Sequence, residues 1–291
     1  MSHNKKQPYI LIWRVIRNIT PGIILLLLWQ FYVGHDARLR FLFSSPSQVL
    51  EKLIFDIKNS GLLYDVWITG EETFLGFLLG CFIGTLLGLI LWSSTSAADI
   101  ARPYVVIVGS IPIFAIAPMT IIWFGTDLFQ KVMIGALSTV VVALAQAYEG
   151  AKNVDPDLLA LMKTFGASRL QIYTKVIVPA TLVWVIASLR LNIGFALLGA
   201  FIGEFISSER GLGHYILKGS GLYDVSQILA GIVCLGALSM FMSMSVGLLE
   251  RILLPSKFRR RTTGWLFSKL RSIYRKLSSL FFNTDRTERA D

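Results

Sequence analysis

Hydrophobic residues in this chain gather into long runs divided by short polar stretches. Six runs can be marked: Ile19 to Val33, Trp67 to Trp92, Pro103 to Phe124, Lys131 to Tyr148, Ala180 to Ile206 and Ser226 to Leu249. Apolar runs on this scale suit helices that cross a bilayer. The first has the length and basic flank of a secretion signal. No small-residue cleavage site follows at Gly34-His35-Asp36, so a retained helix is expected, extended backward through Ile10. The fourth is rich in Val and Ala and would suit a strand in a soluble protein, but its length and surroundings argue for helix. The pattern predicts an all-α, polytopic transmembrane helical bundle of about six spans.

The polar stretches add detail. Arg38 to Val66 is an outer segment. Ser44-Ser45-Pro46-Ser47 gives a turn and helix cap there, and Val49, Leu50, Leu53, Ile54 and Ile57 then make an amphipathic helix suited to the membrane surface. Ser93 to Arg102, Gly125 to Gln130 and Glu209 to Val225 are expected loops. In the second run Gly76, Gly80, Gly84 and Gly88 share one helical face, which lets another backbone approach closely; packing within the same chain is expected. Ser239, Ser243 and Gly247 repeat that spacing in the sixth. Pro112 and Pro118 interrupt the third run, which is tolerated where neighbours or a water-lined cavity satisfy the freed backbone groups. Arg190 and Glu204 are charges within the fifth run, and such charges suggest function. Fourteen residues apart, they lie about 21 Å from each other along a helix and cannot pair within it. All four are candidates for a pathway or gate. Glu71 and Glu72, near an outer end, are expected to be solvated.

The longest polar interruption between the later runs, Asp155 to Ala180, has its own helix grammar. Asp155 is placed to cap a helix with Pro156 at its first position. Leu158, Leu161, Met162 and Phe165 then fall on one face. Gly166 suits a left-handed stop. Ser168 restarts a second helix, with Gln171 completing a capping box. Pro179 marks the break before the next run. A short helix pair therefore stands outside the membrane with an apolar stripe on show, and such a stripe needs a partner.

Composition narrows the class. Of 291 residues, 54% are hydrophobic and 16% charged, against about 25% charged in soluble domains, and mean hydropathy is +0.62. The net charge of +10 belongs to inner loops and tails, not to nucleic-acid binding. Twenty of the 28 Lys and Arg fall on the side of both termini and the central loop, and seven on the other. This places both termini and that loop in the cytoplasm. Leu266, Leu270, Ile273, Leu277 and Leu280, set among Arg and Lys, predict a basic amphipathic helix in the tail, suited to anionic lipid. Cys81 and Cys234 lie in apolar runs and imply no disulfide framework or metal site. His3, His35 and His214 are scattered, unlike the clustered groups an enzyme would need. No phosphate-loop motif is present, so ATP hydrolysis by that route is excluded. A stand-alone secondary transporter or channel would show intramembrane ionisable networks or inverted repeats; no clear repeat is seen.

Several strings carry a family resemblance. Gly166-Ala167-Ser168 followed by Val178-Pro179 resembles the EAA loop of bacterial ABC-importer permeases, with Ala160 standing where the glutamate is usual. IPIFAIAPMTIIWFG resembles a stretch of the nitrate/sulfonate/taurine type, as does Glu204 followed by Gly211-Leu212-Gly213. The resemblance implies a type I importer permease fold over residues 66–251, with a coupling loop at 149–179. Outside it stand a cytoplasmic N-terminal segment (1–18), the first transmembrane span with the outer amphipathic helix (19–65) and the basic cytoplasmic tail (252–291). It implies that Leu158, Leu161, Met162, Phe165, Gly166, Ala167, Ser168 and Pro179 contact a separate ATPase subunit, which binds the ATP, so that this chain holds no cofactor and performs no catalysis. A second permease copy, a periplasmic solute-binding protein and the lipid of a bacterial inner membrane are the other implied partners. The cargo is not identified by the sequence.

Overall fold

The computed structural model describes residues 7–34 and 36–253. The tail helix expected beyond Leu253 lies outside the described residues. Those described form twelve α-helices and no strand. The first, α1 (Gln7–Gly34), begins well inside the expected polar leader. It is followed by α2 (Ala37–Phe43) and α3 (Pro46–Asn59), the latter opened by a Ser45/Gln48 capping box as the sequence predicts. Then come α4 (Leu62–Trp92), α5 (Thr95–Ser110), α6 (Ile113–Phe124) and α7 (Leu128–Lys152). The central segment is α8 (Pro156–Thr164) and α9 (Arg169–Ile172), and α10 (Val178–Ser207), α11 (Leu212–Gly221) and α12 (Val225–Leu253) complete the chain.

Four helical stretches are long and apolar enough to cross a membrane: α4, α7, the joined α9–α10 and α12. The third expected span is not one helix. It breaks into α5 and α6, bent by 93°. Pro112 causes the break: the residue before a proline is driven out of the helical region, and Ile111 is extended at φ −73°, ψ 122°. The stretch expected as a loop from Ser93 is mostly helix, because Ser94 caps α5 by accepting from the Ala97 N–H. The apolar part of α1, Ile19–Gly34, is shorter, and its large side chains are mostly exposed, as a lipid-facing helix requires.

Close backbone approach holds the centre together. A methyl group at Gly76 would lie 3.0 Å from the Gly135 Cα. At Gly80, Gly84 and Gly88 it would collide with Ala136, Val140 and Leu144 in turn. The contacts advance together along both helices, so α4 and α7 run parallel, and α5–α6 carries the chain back between them. From the other side Gly199 of α10 meets the same Gly135, 2.8 Å from where its own Cβ would be. Three backbones thus cross at glycine, the ridge serving packing within the chain as expected. Pairing of Gly203 with Lys131 and Gly150 with Trp184 shows α10 antiparallel to α7.

At the end of the bundle away from α8 a polar clasp fixes α11. Glu204, fully buried, accepts from the Thr69 hydroxyl through Oε1 and from the Gly213 N–H through Oε2, both at 2.6 Å. Thr69 in turn accepts from the Leu212 N–H at 2.9 Å, and Asp65 from the Gly211 N–H at 3.0 Å. These bonds satisfy the free N–H groups that begin α11. Gly211 must be glycine: its φ is +96°, and any Cβ would strike the Glu204 carboxylate. Further out, the Tyr215 phenol donates to Asp56 of α3, which Lys52 links to Asp224 at 3.1 Å. Burial, with Asp56 beside it, pushes the Tyr215 phenol up from its ordinary value, so it remains a donor. The amphipathic α3 is therefore not simply a surface helix. Val49 and Leu53 pack against the bundle, while Leu50, Ile54 and Ile57 remain exposed.

Two outcomes check this packing. Gly84→Val should lower the melting temperature of the detergent-solubilised protein through an overpacking cost of about 1–3 kcal/mol, whereas Gly236→Ala, with nothing near its Cβ, should not lower it. Thr69→Val should speed amide hydrogen exchange at Leu212 and Gly213 by roughly ten- to a hundredfold, the effect of about 1–3 kcal/mol from an orphaned buried group. Unchanged exchange would show that the clasp does not hold α11.

Candidate coupling site and translocation pathway

The α8–α9 site is built by local chemistry. The Asp155 carboxylate accepts from the Asp157 N–H and caps α8, with Pro156 in the first turn. The helix ends in a Schellman motif: Gly166 N–H reaches the Lys163 carbonyl at 2.9 Å, and Ala167 N–H the Met162 carbonyl at 3.0 Å. Gly166 holds the left-handed conformation this needs, φ +74°, with open space around it. Ser168 and Gln171 complete the expected capping box of α9.

The apolar stripe divides in two. Leu158, Leu161 and Phe165 are 42%, 51% and 77% exposed. Met162 instead turns inward with Ala167, against a cluster of Leu89, Ala151, Val154 and Ile177. The reason is the Schellman stop, which brings residues 162 and 167 together as its apolar contact. Leu170, at 71% exposed, joins the outer surface. Sequence periodicity missed it because it lies beyond the turn, on the next helix.

Pro179 is not a break. Residues Arg169–Ser207 form one continuous helix. Proline is accommodated because the turn before it is a wide π-helix, Tyr173–Ile177, in which the Val178 N–H bonds the Tyr173 carbonyl five residues back. That register shift relieves the ring clash and the missing donor. The second half of the expected loop is thus rigidly continuous with α10, and its first residues, from Glu149, still belong to α7.

The pathway candidates are scattered. Pro112 stands at the α5–α6 bend and Pro118 inside α6, both exposed. Arg190 is half-exposed and pairs with Glu250 of α12 at 2.8 Å; Gly247 lacks a side chain where the guanidinium passes. Glu204 is buried within the clasp. The structure brings none of these four together. It does show a cavity of about 800 Å³ near the clasp, lined by Glu71, Glu72, Asp127, Lys131, Glu209 and Arg210 among others. Glu72 is not solvated as expected: it is buried, while Glu71 is exposed. Gln130 closes the adjoining wall, donating to Thr120 of α6 and accepting from Ser207 of α10 at 3.0 and 3.1 Å.

Comparison with known proteins fits this architecture. Residues 76–259 match the family described as binding-protein-dependent transport system inner membrane component. A probable ABC transporter permease protein of Haemophilus influenzae is 31% identical, over 79% of this chain and 95% of its own. The formylaminopyrimidine transport permease protein ThiX of Halalkalibacterium halodurans is 28% identical, over 80% and 92%. Permeases named for aliphatic sulfonates and for taurine are also similar. In shape, a chain of the inward-facing MetNI methionine ABC transporter superposes with a TM-score of 0.60 at 19% identity, covering 67% of this chain and 96% of that one. The chain belongs to this family: it is a membrane-spanning permease subunit of an ABC importer.

Proposed function

We propose that α8 is the helix through which a separate ATPase subunit drives this permease. The observation that carries the reading is the exposure of Leu158, Leu161, Phe165 and Leu170 on one short, firmly capped helix pair. Large apolar side chains in that number are held out of the core only where something else covers them. They project from the end at which Lys and Arg concentrate, the cytoplasmic end, with both termini on the same side. The Schellman stop fixes the angle between α8 and α9, and the unbroken helix from Arg169 carries displacement of the pair into α10.

In this reading two copies of the chain enclose the pathway and a periplasmic binding protein delivers a small solute at the outer face. ATP is bound by the partner subunit. This chain holds no cofactor and makes no covalent bond; it supplies the path and the lever. The cavity at the outer ends of α4, α7 and α10 is where solute would enter.

Gly166→Leu tests the lever. A leucine at φ +74° carries a penalty of about 1–2 kcal/mol and disturbs the α8–α9 angle. Membrane insertion should be retained, while ATP-driven uptake in cells or proteoliposomes should fall severalfold or more. Wild-type uptake by this variant would count against the assignment.

A further inference from the structure

The inner ends of α4, α5 and α7 enclose a second cleft, of about 430 Å³, whose lining comes from these three helices alone. Its volume is in the range of small-ligand sites. Leu91, Val105, Val106 and Leu144 give it an apolar strip. Four charges surround it: Asp99 and Arg102 from α5, Glu149 and Lys152 from α7. Each of these two helices contributes a carboxylate and, three residues on, a cation on the same face. All four are exposed, and among the described residues none takes part in an ion pair. Tyr148 lines the cleft on α7, and aromatic side chains near helix ends mark the headgroup region of a bilayer. Val106, on the rim, is 63% exposed and extends the apolar wall outward along α5.

We infer that this cleft holds a zwitterionic phospholipid with a primary ammonium, of the phosphatidylethanolamine kind. Its phosphate lies between Arg102 and Lys152, its ammonium meets Asp99 and Glu149, and an acyl chain follows the apolar wall into the bilayer. The balance of charge decides the lipid class. Sites for anionic headgroups between membrane helices are basic. Here two carboxylates accompany the two cations, so an anionic lipid such as phosphatidylglycerol would leave both carboxylates unanswered and repelled. The site adjoins the exit of α7 toward α8 and is separate from the ATPase surface.

The full chain, purified with whatever subunits accompany it, is equilibrated in detergent with equal amounts of phosphatidylethanolamine and phosphatidylglycerol of identical chains. Retained lipid is then counted by native mass spectrometry. The wild type should retain the ethanolamine lipid over the glycerol lipid by about threefold or more, the scale set by two surface ion pairs. D99N/E149Q should bring the ratio to that of the mixture, and R102Q/K152Q should lower retention of both lipids. D99N and E149Q singly, both at exposed positions, should each lower the ratio part way. An unselective wild type, or a ratio unmoved by the carboxylate variants, would overturn the inference. So would a permease-to-permease cross-link from V106C, which would show a second copy filling the cleft. Because the readout is bound lipid and not uptake, the result stands apart from the coupling reading.

Discussion

Three helix backbones meet at glycine in the centre of this protein, and the remaining structure depends on that crossing. Inside a bilayer, lipid tails solvate apolar side chains as well as another helix does, so burial of oily surface gives little drive for helices to associate. Contact area and close approach supply it instead. Gly76 and Gly199 allow α4 and α10 to pack on α7, at Gly135, at a separation that a side chain on either would disturb. Gly80, Gly84 and Gly88 extend the seam toward the end that carries α8. The result is a slab of three long helices whose two ends are fixed relative to each other.

The two ends of the slab are built differently. At one, the clasp of Glu204, Thr69 and Asp65 ties α11 to α4 and α10. At the other, the cluster around Leu89, Ala151 and Ile177 seats α8 and α9 on α4, α7 and the start of α10. The π-turn ahead of Pro179 keeps that seat continuous with the long helix, where an ordinary proline break would have left a hinge. The broken α5–α6 element packs on this slab through a small cluster of Ala117, Ile134 and Ile202.

The parts legible in the sequence are those set by neighbours along the chain. Asp155, Gly166, Ser168 and Gln171 announce the α8–α9 turn because caps are local chemistry. The glycine ridge announces close packing, although not that its partner runs parallel, which only the tertiary arrangement decides. The bend at Ile111 follows from a local rule that the apolar run concealed. Met162 shows the limit of periodicity: it shares the stripe of Leu158 and Leu161, yet the turn after it folds it back. Glu204 shows a different limit. It is a charge in a span and so draws a functional reading, but its oxygens meet groups 135 and nine residues away, and no spacing rule joins them.

The proposed drive through α8 requires that another subunit cover the surface of Leu161, Phe165 and Leu170. The most direct measurement uses Phe165→Cys in a variant lacking Cys81 and Cys234, and adds a short thiol-to-amine cross-linker to intact membranes. The proposed contact predicts a single adduct between the permease and a nucleotide-binding subunit. Modification of the introduced thiol by a soluble reagent at the rate of an open surface, with no such adduct formed, would contradict it.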